Sequence, residues 1–214
     1  MNNLTNTFND ISLLLQKGKA KEITAAVEKA LNEGIPAQDI LDKSLISGMN
    51  IIGGKFKNGE IFIPEVLVAA RAMNKASETL KPILVEAGVK PIGKAIICTV
   101  KGDLHDIGKN LVRMMIEGRG IEVIDLGVDC GIEKIIESVQ NSGARVLCLS
   151  ALLTTTMLMQ KEIIAALRAA GLRDKVKIMV GGAPVTRSFA IDIGADAYTP
   201  DAATAAMVCR SFYD

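Results

Sequence analysis

The residues best suited to chemistry lie in one glycine-bracketed loop, Gly102-Asp103-Leu104-His105-Asp106-Ile107-Gly108. His105 is the only histidine of the chain, and it has Asp103 and Asp106 on either side. The two glycines allow tight turns and close approach of a ligand. A neutral imidazole can act as a general base or bind a metal, and a nearby carboxylate raises its basicity. It can equally be a surface histidine near a helix start, and the spacing alone leaves these three interpretations open.

Strands and helices alternate in the part of the sequence that contains this loop. Short apolar runs that predict strands occupy 95–100, 122–126, 146–149, 176–180 and 195–198. A segment with helical periodicity follows each run, so the sequence predicts an α/β domain with a five-stranded, parallel, doubly wound sheet in the flavodoxin-like order 2-1-3-4-5. Ligands of such sheets bind beyond the carboxyl ends of the strands, where the strand order reverses.

Three loops are predicted to meet at that edge of the sheet. The histidine loop follows the first strand, residues 150–156 follow the third, and Gly181-Gly182 follows the fourth. Hydroxyl residues before a helix are commonly N-caps, and a glycine pair after a strand is commonly a turn. The same residues, brought to one edge, also make a candidate ligand site.

Residues 1–91 predict helices alone. Apolar residues recur on one helical face in four segments, and Gly34, Pro36 and Pro64 mark helix ends or starts. Four amphipathic helices with short connections predict an N-terminal four-helix bundle, for which docking or dimerisation is the simplest role. We therefore expect a helical domain at 1–91 and an α/β domain at 92–214.

Composition limits the classes of function. The chain has 214 residues, 49% of them apolar, and a net charge of +1, which favours a globular protein without a nucleic-acid surface. Its first residues lack a signal-peptide pattern, and no apolar run has membrane-spanning length, so we expect a cytoplasmic protein. The four cysteines are widely spaced, which favours buried reduced thiols over a metal or redox site.

The histidine loop, as Asp103-x-His105-x-x-Gly108, resembles the signature of cobalamin-binding domains in methyltransferases such as methionine synthase. Ser150-x-Leu152 and Gly181-Gly182 resemble the second and third motifs of that domain. The resemblance implies that His105 is the lower axial ligand of corrinoid cobalt. It also implies that Asp103, and through it Thr156, set the basicity of this histidine, so that these three are the catalytic residues. The cofactor-binding residues that it implies in this domain are Gly102, Asp103, His105, Asp106, Ile107, Gly108, Ser150, Leu152, Thr154, Gly181 and Gly182.

Residues 48–82 resemble the helical cap that precedes the cobalamin domain in corrinoid methyltransferases. In that family the cap shields the upper face of the corrin with two apolar side chains. Their positions here are Phe56 and Ile63, with Phe62 as an alternative aromatic contact.

The resemblance covers residues 11–206, and the sequence shows no second catalytic constellation. It implies a methyl carrier, with methylcobalamin as the form in turnover, that is not an enzyme on its own. The implied partners are a substrate-specific methyltransferase for a methylamine, methanol, methoxyaromatic or betaine donor, a second methyltransferase that passes the methyl group to tetrahydrofolate or a thiol, and a reductive activator. A cobalamin sensor or storage module and the small subunit of a cobalamin-dependent isomerase remain alternatives.

One loop departs from the family pattern. Cys130-Gly131 stands where a Val-Pro pair often follows Leu-Gly-x-Asp, here Leu126-Gly127-Val128-Asp129. We expect this loop at the rim where a partner docks, because it ends the second strand beside the switch point.

Overall fold

A computed structural model of the chain describes residues 2–88 and 90–214, with side chains from residue 4 onward. Met1 and Val89, which fall within the predicted domain 1–91, lie outside the described residues. The chain divides into two compact units, residues up to 90 with 118–120, and residues 91–117 with 121–214. The domain boundary between residues 91 and 92 stays a prediction, because a domain is defined by its ability to fold alone.

The first unit is helical. Its described elements are α1 (Asn2–Gln16), α2 (Ala20–Asn32), α3 (Ala37–Ile40), a π-helix (Leu41–Ile46), α4 (Ser47–Lys57) and α5 (Ile63–Glu86). Each long helix buries the apolar face that its spacing predicts, as Ile23 and Val27 do on α2. Because α3, the π-helix and α4 follow one another without a break, the described residues form four helical segments, and the predicted bundle is confirmed.

The third segment differs from the single regular helix that the sequence predicts. Ile40, Leu45, Met49 and Ile52 are all buried, although the first two are five residues apart. A regular α-helix has 3.6 residues per turn, so a spacing of five residues would place Ile40 on a different side of the helix from the other three. The hydrogen bonds of the π-helix join residues five apart, so its wider turn accommodates this spacing. All four side chains therefore remain in the core.

In the described part of the second unit, five strands form one parallel sheet in the order β2-β1-β3-β4-β5, as predicted. The strands are β1 (Gly93–Thr99), β2 (Ile121–Asp125), β3 (Val146–Ser150), β4 (Lys177–Gly181) and β5 (Ala197–Tyr198). The helices between and after them are α6 (Ile107–Glu117), α7 (Ile132–Asn141), α8 (Leu158–Ala169), a short 3₁₀-helix (Arg173–Lys175), α9 (Arg187–Ile193) and α10 (Ala202–Ser211).

Both faces of this sheet are covered. Ile96, Cys98 and Val100 on β1 and just after it pack with Ile135 of α7 and Ile163 of α8 in one apolar core. α6 packs against α10, whose four buried alanines allow the two helices to come close. Cys98, Cys130, Cys148 and Cys209 are free and buried, as the sequence predicts. No helix within residues 2–88 and 90–214 is long and apolar enough to cross a membrane.

Candidate functional site

The carboxyl ends of β1, β3 and β4 are aligned residue by residue. Thr99 pairs with Ser150, and Ser150 pairs with Gly181, so three strands end at the same level. The chain leaves these strands into the histidine loop, the 151–157 segment and the Gly182 turn. The sheet therefore brings the three predicted loops together.

The carboxylate of Asp103 joins two of these loops. It is fully buried, with an exposure of 0%. Its Oδ1 accepts hydrogen bonds from the backbone N–H of His105 at 3.1 Å and from His105 Nδ1 at 2.8 Å. Its Oδ2 accepts from the backbone N–H of Leu152 at 2.7 Å and from the Thr156 hydroxyl at 2.8 Å. Two donors on each oxygen fix the orientation of the carboxylate.

These bonds also set the charge of Asp103. Burial by itself raises the pKa of a carboxyl group, because it disfavours the charged form. Here the hydrogen bonds from Leu152, His105 and Thr156 outweigh burial and hold the pKa of Asp103 well below its usual range. Asp103 is therefore an anion at neutral pH and can only accept hydrogen bonds.

The state of Asp103 decides the tautomer of His105. Because an ionised carboxylate has no proton to give, Nδ1 of the imidazole must donate to Oδ1. In the neutral ring the lone pair then lies on Nε2, and this nitrogen bonds to no group within residues 2–88 and 90–214. The His105 side chain is 53% exposed, so Nε2 is available to a ligand. The arrangement suits a metal ligand or a general base.

Thr156 lies where the sequence places it, in contact with Asp103. Its side chain is nearly buried, and its hydroxyl also accepts a hydrogen bond from the backbone N–H of Leu153 at 3.3 Å. Since a hydroxyl has one proton and Asp103 is an anion, that proton goes to Asp103 Oδ2. Thr156 thus links the histidine loop to the start of the helix that follows β3.

The other predicted residues of the histidine loop do not bond to Asp103. Asp106 accepts a hydrogen bond from the Asn110 side chain at 3.0 Å, one turn into α6. Ile107 is 71% exposed, and a Cβ on Gly108 would meet no heavy atom within 4 Å. Gly102 has a φ of +82°, in the region that favours glycine. The loop that carries His105 is therefore open and includes an exposed apolar side chain at Ile107.

The predicted residues after β3 and β4 differ in what they contact. Ser150 is half-buried between its neighbours on β1 and β4, and Thr154 is exposed. Leu152 acts through its backbone N–H, which a sequence motif cannot specify. Gly182 has a φ of +123°, and a Cβ there would lie 1.8 Å from the carbonyl oxygen of Ala151, so only glycine fits beside the end of β3.

In the helical unit, the predicted residues Phe56 and Ile63 flank the turn between α4 and α5. Phe56 is half-buried, Ile63 is 41% exposed, and the alternative Phe62 is 68% exposed. The Glu65 carboxylate accepts a hydrogen bond from the backbone N–H of Phe62 at 3.0 Å, which fixes the start of α5. This turn therefore presents apolar side chains from a well-defined backbone.

Sequence reasoning missed one polar residue of the site. Thr99, at the end of β1, is fully buried, and its hydroxyl donates to the carbonyl oxygen of His105 at 2.8 Å. A buried hydroxyl needs a hydrogen-bonding partner. A threonine that ends an apolar strand directly before the loop is the signal that could have identified it.

Comparisons with known proteins agree with this geometry. A family model described as a B12 binding domain matches residues 93–208, and a second model with the same description matches residues 7–81. The chain is 42% identical over 187 residues to dimethylamine corrinoid protein 3 of Methanosarcina acetivorans, which covers 87% of each chain. It is 45% identical over 185 residues to monomethylamine corrinoid protein 2 of the same organism, which covers 85% of each.

A solved structure gives the same result for the fold. The crystal structure of the methanol:cobalamin methyltransferase complex MtaBC from Methanosarcina barkeri contains a chain that matches with a TM-score of 0.86 and 30% identity. The match covers 95% of this chain and 78% of that one.

Proposed function

The chain belongs to the corrinoid proteins of methyltransferase systems, and from that membership we propose that it carries a methyl group on the cobalt of bound cobalamin from one methyltransferase to another. The observation that supports this role most directly is the His105 side chain, which is 53% exposed and whose Nδ1 is bonded to a buried carboxylate. A nitrogen presented in this way could hold the cobalt of a corrinoid.

The residues at this edge of the sheet fit a cobalamin. The imidazole offers one nitrogen lone pair, and the side chains on either side of it, Leu104 and Ile107, are apolar and 72% and 71% exposed. Such side chains suit contact with a flat, largely apolar ring. The space beside Gly108 leaves room for close approach. When bound, the cobalt supplies the chemistry, as it can accept and release a methyl group.

His105, Asp103, Thr156 and the two apolar residues of the helical unit would then have separate tasks. His105 would hold the cobalt through Nε2. Asp103 keeps the proton of the imidazole on Nδ1 and so leaves Nε2 as the nitrogen that can bind a metal, and Thr156 donates to that carboxylate. Phe56 and Ile63 of the helical unit would help to shield the bound cofactor from water.

The proposed methyl donor is a small methylated compound that a partner methyltransferase presents, and methylamines are the first candidates. The monomethylamine and dimethylamine corrinoid proteins named above are 45% and 42% identical to this chain, so sequence identity favours no single amine. Methanol, methoxyaromatics and betaines remain candidates. We expect a second methyltransferase to pass the methyl group to tetrahydrofolate or a thiol, and a reductive activator to rescue oxidised cobalt.

The experiment that tests the cofactor and its ligand is an absorption spectrum after loading with cobalamin and desalting. The wild-type protein should retain the corrinoid with the bands of histidine-ligated cobalt, and His105→Ala should lose those bands. Protein loaded instead with methylcobalamin should pass its methyl group to an added acceptor methyltransferase and, once reduced, regain a methyl group from one donor system. Failure to retain a corrinoid in any oxidation state would contradict the proposal.

A further inference from the structure

Asp129, in the loop between β2 and α7, has an unusual backbone. Its φ is +51°, and it is the only described residue other than glycine with a positive φ. Asparagine and aspartate tolerate this left-handed conformation better than most residues, but at a cost that other contacts must offset. The question is which contacts hold it there.

The contacts of Asp129 reach the histidine loop. Its Oδ1 accepts a hydrogen bond from the backbone N–H of Gly102 at 2.7 Å, and its own backbone N–H donates to the carbonyl oxygen of Asp103 at 3.0 Å. Gly102 is 27 positions away in the sequence, so this is not the local bond of a turn residue. Asp129 is therefore hydrogen-bonded to Gly102 and Asp103, which precede His105 in the loop.

Backbone hydrogen bonds next to Asp129 also join the loop after β2 to the end of β1, where the histidine loop begins. The backbone N–H of Thr99 donates to the carbonyl oxygen of Gly127, and that of Cys130 donates to the carbonyl oxygen of Thr99, both at 3.0 Å. Thr99 in turn holds the carbonyl oxygen of His105 through its hydroxyl. The loop after β2 thus supports the histidine loop from the side opposite to Leu152 and Thr156.

We propose that Asp129 is a positioning residue for His105: its carboxylate and N–H hold Gly102 and Asp103 so that the Asp103 carboxylate stays aligned with the imidazole. The inference rests on the proposed role of His105 as the cobalt ligand. It assigns to this loop a task in ligand geometry, in addition to the partner contact expected from the sequence.

Three variants separate the backbone of Asp129 from its side chain. Asp129→Gly keeps the left-handed conformation without strain but removes the acceptor. Asp129→Asn keeps both the conformation and an acceptor oxygen. Asp129→Ala loses both. If positioning depends on the bond to Gly102, Asn should resemble the wild type, and Gly and Ala should both be impaired.

The first readout needs no cofactor. His105 is the only histidine, so its imidazole ¹⁵N signals are unambiguous. The wild-type and Asp129→Asn proteins should show a single tautomer with the proton on Nδ1, and Asp129→Gly should show a mixture of tautomers because Asp103 no longer fixes one. An Asp129→Gly spectrum identical to that of the wild type would overturn the proposal.

The second readout uses protein loaded with cobalamin. We expect the ratio of histidine-ligated to histidine-free cobalt at neutral pH to fall about three- to tenfold in Asp129→Gly and to change less than twofold in Asp129→Asn. An unchanged ratio in Asp129→Gly would also overturn the proposal. Should the wild type bind no corrinoid, the function proposed above fails, whereas the imidazole signals still test the positioning.

A measurement on the wild type covers the case in which Asp129→Gly does not fold. Gly102 is exposed, so its amide proton should exchange rapidly with solvent unless the Asp129 carboxylate holds it. We expect exchange at Gly102 to be slowed at least about tenfold relative to the same amide in the urea-unfolded chain. Equal exchange in the folded and unfolded chains would show that the bond does not persist, and the proposal would be wrong.

Discussion

At the residue scale, the candidate site depends on an anion that has no exposure to solvent. Asp103 is stabilised by four donors from two loops rather than by a cation. Two of these donors are backbone N–H groups, which cannot accept a hydrogen bond in any protonation state. The donor set therefore demands an acceptor on both sides of the side chain, which only a carboxylate provides.

Asp103→Asn tests this demand directly. The asparagine amide must turn its NH₂ group toward either the N–H of His105 or that of Leu152, so one backbone donor loses its partner. We expect the affinity of His105 for cobalt to fall about 10- to 100-fold, as read from the absorption spectrum of the loaded protein. Asp192→Asn, an exposed change on α9 with the same loss of charge, serves as the control. Equal effects of the two variants would point to net charge instead.

The same carboxylate predicts the response of the cofactor-free protein to acid. Its pKa is lower in the folded than in the unfolded chain, so it contributes stability that is present above about pH 4 and is lost as the pH falls below that. The free energy of unfolding of the wild type should therefore exceed that of Asp103→Asn by less and less as the pH falls from about 5 to 2. Urea unfolding at a series of pH values measures this difference. A difference that stays constant over that range would contradict the assignment.

At the element scale, the site depends on how closely the ends of neighbouring strands approach. The backbone N–H of Ala151 donates to the carbonyl oxygen of Gly181 at 3.1 Å, and Gly182 lies against the Ala151 carbonyl. The start of the 151–157 segment is therefore fixed by β4 as well as by Asp103. Leu152 and Thr156 reach their positions because of this double attachment.

Gly182→Ala should break that attachment. The new Cβ would collide with the backbone oxygen of Ala151, which cannot rotate away, so the two strand ends must separate. We expect the free energy of unfolding to fall by about 3 kcal/mol or more. Gly143→Ala is the matched control, because Gly143 also has a positive φ but open space around it, and it should cost about 1 kcal/mol. Urea denaturation compares them, and equal losses would show that strain alone matters.

Much of this arrangement could be predicted from the sequence, and the exceptions share a physical cause. The strands follow from periodicity, which depends only on neighbouring residues. The strand order and the meeting of the three loops follow from general rules for parallel sheets. The π-helix and the contact between Asp129 and Gly102 do not, because they depend on how distant segments fit together. Thr156 was identified through the family motif, whereas Thr99, which is also buried, is the last residue of an apolar strand whose pattern indicates only a place in the core.

At the scale of the whole molecule, each unit carries exposed apolar side chains in a place where a cofactor is expected. Leu104 and Ile107 are 72% and 71% exposed beside His105, and Phe62 is 68% exposed at the turn before α5. Exposed apolar area is lost when a ligand binds, and a ligand that binds only the folded chain raises its stability. Contact with cobalamin should therefore appear as a stability change that depends on loading.

Ile63→Ala tests whether the helical unit takes part in that contact. Ile63 is 41% exposed in the free protein, so its truncation should change the stability of the cofactor-free chain only slightly. If its side chain lies against bound cobalamin, the loaded protein should lose about 1 kcal/mol, equivalent to about a fivefold loss in affinity. Val85→Ala, an exposed position near the other end of α5, should show no loss specific to loading. Thermal unfolding with and without cobalamin measures both variants. If Ile63→Ala has the same effect in both states, this side chain does not contact the corrin, and Phe56 and Phe62 become the next candidates for the proposed shielding.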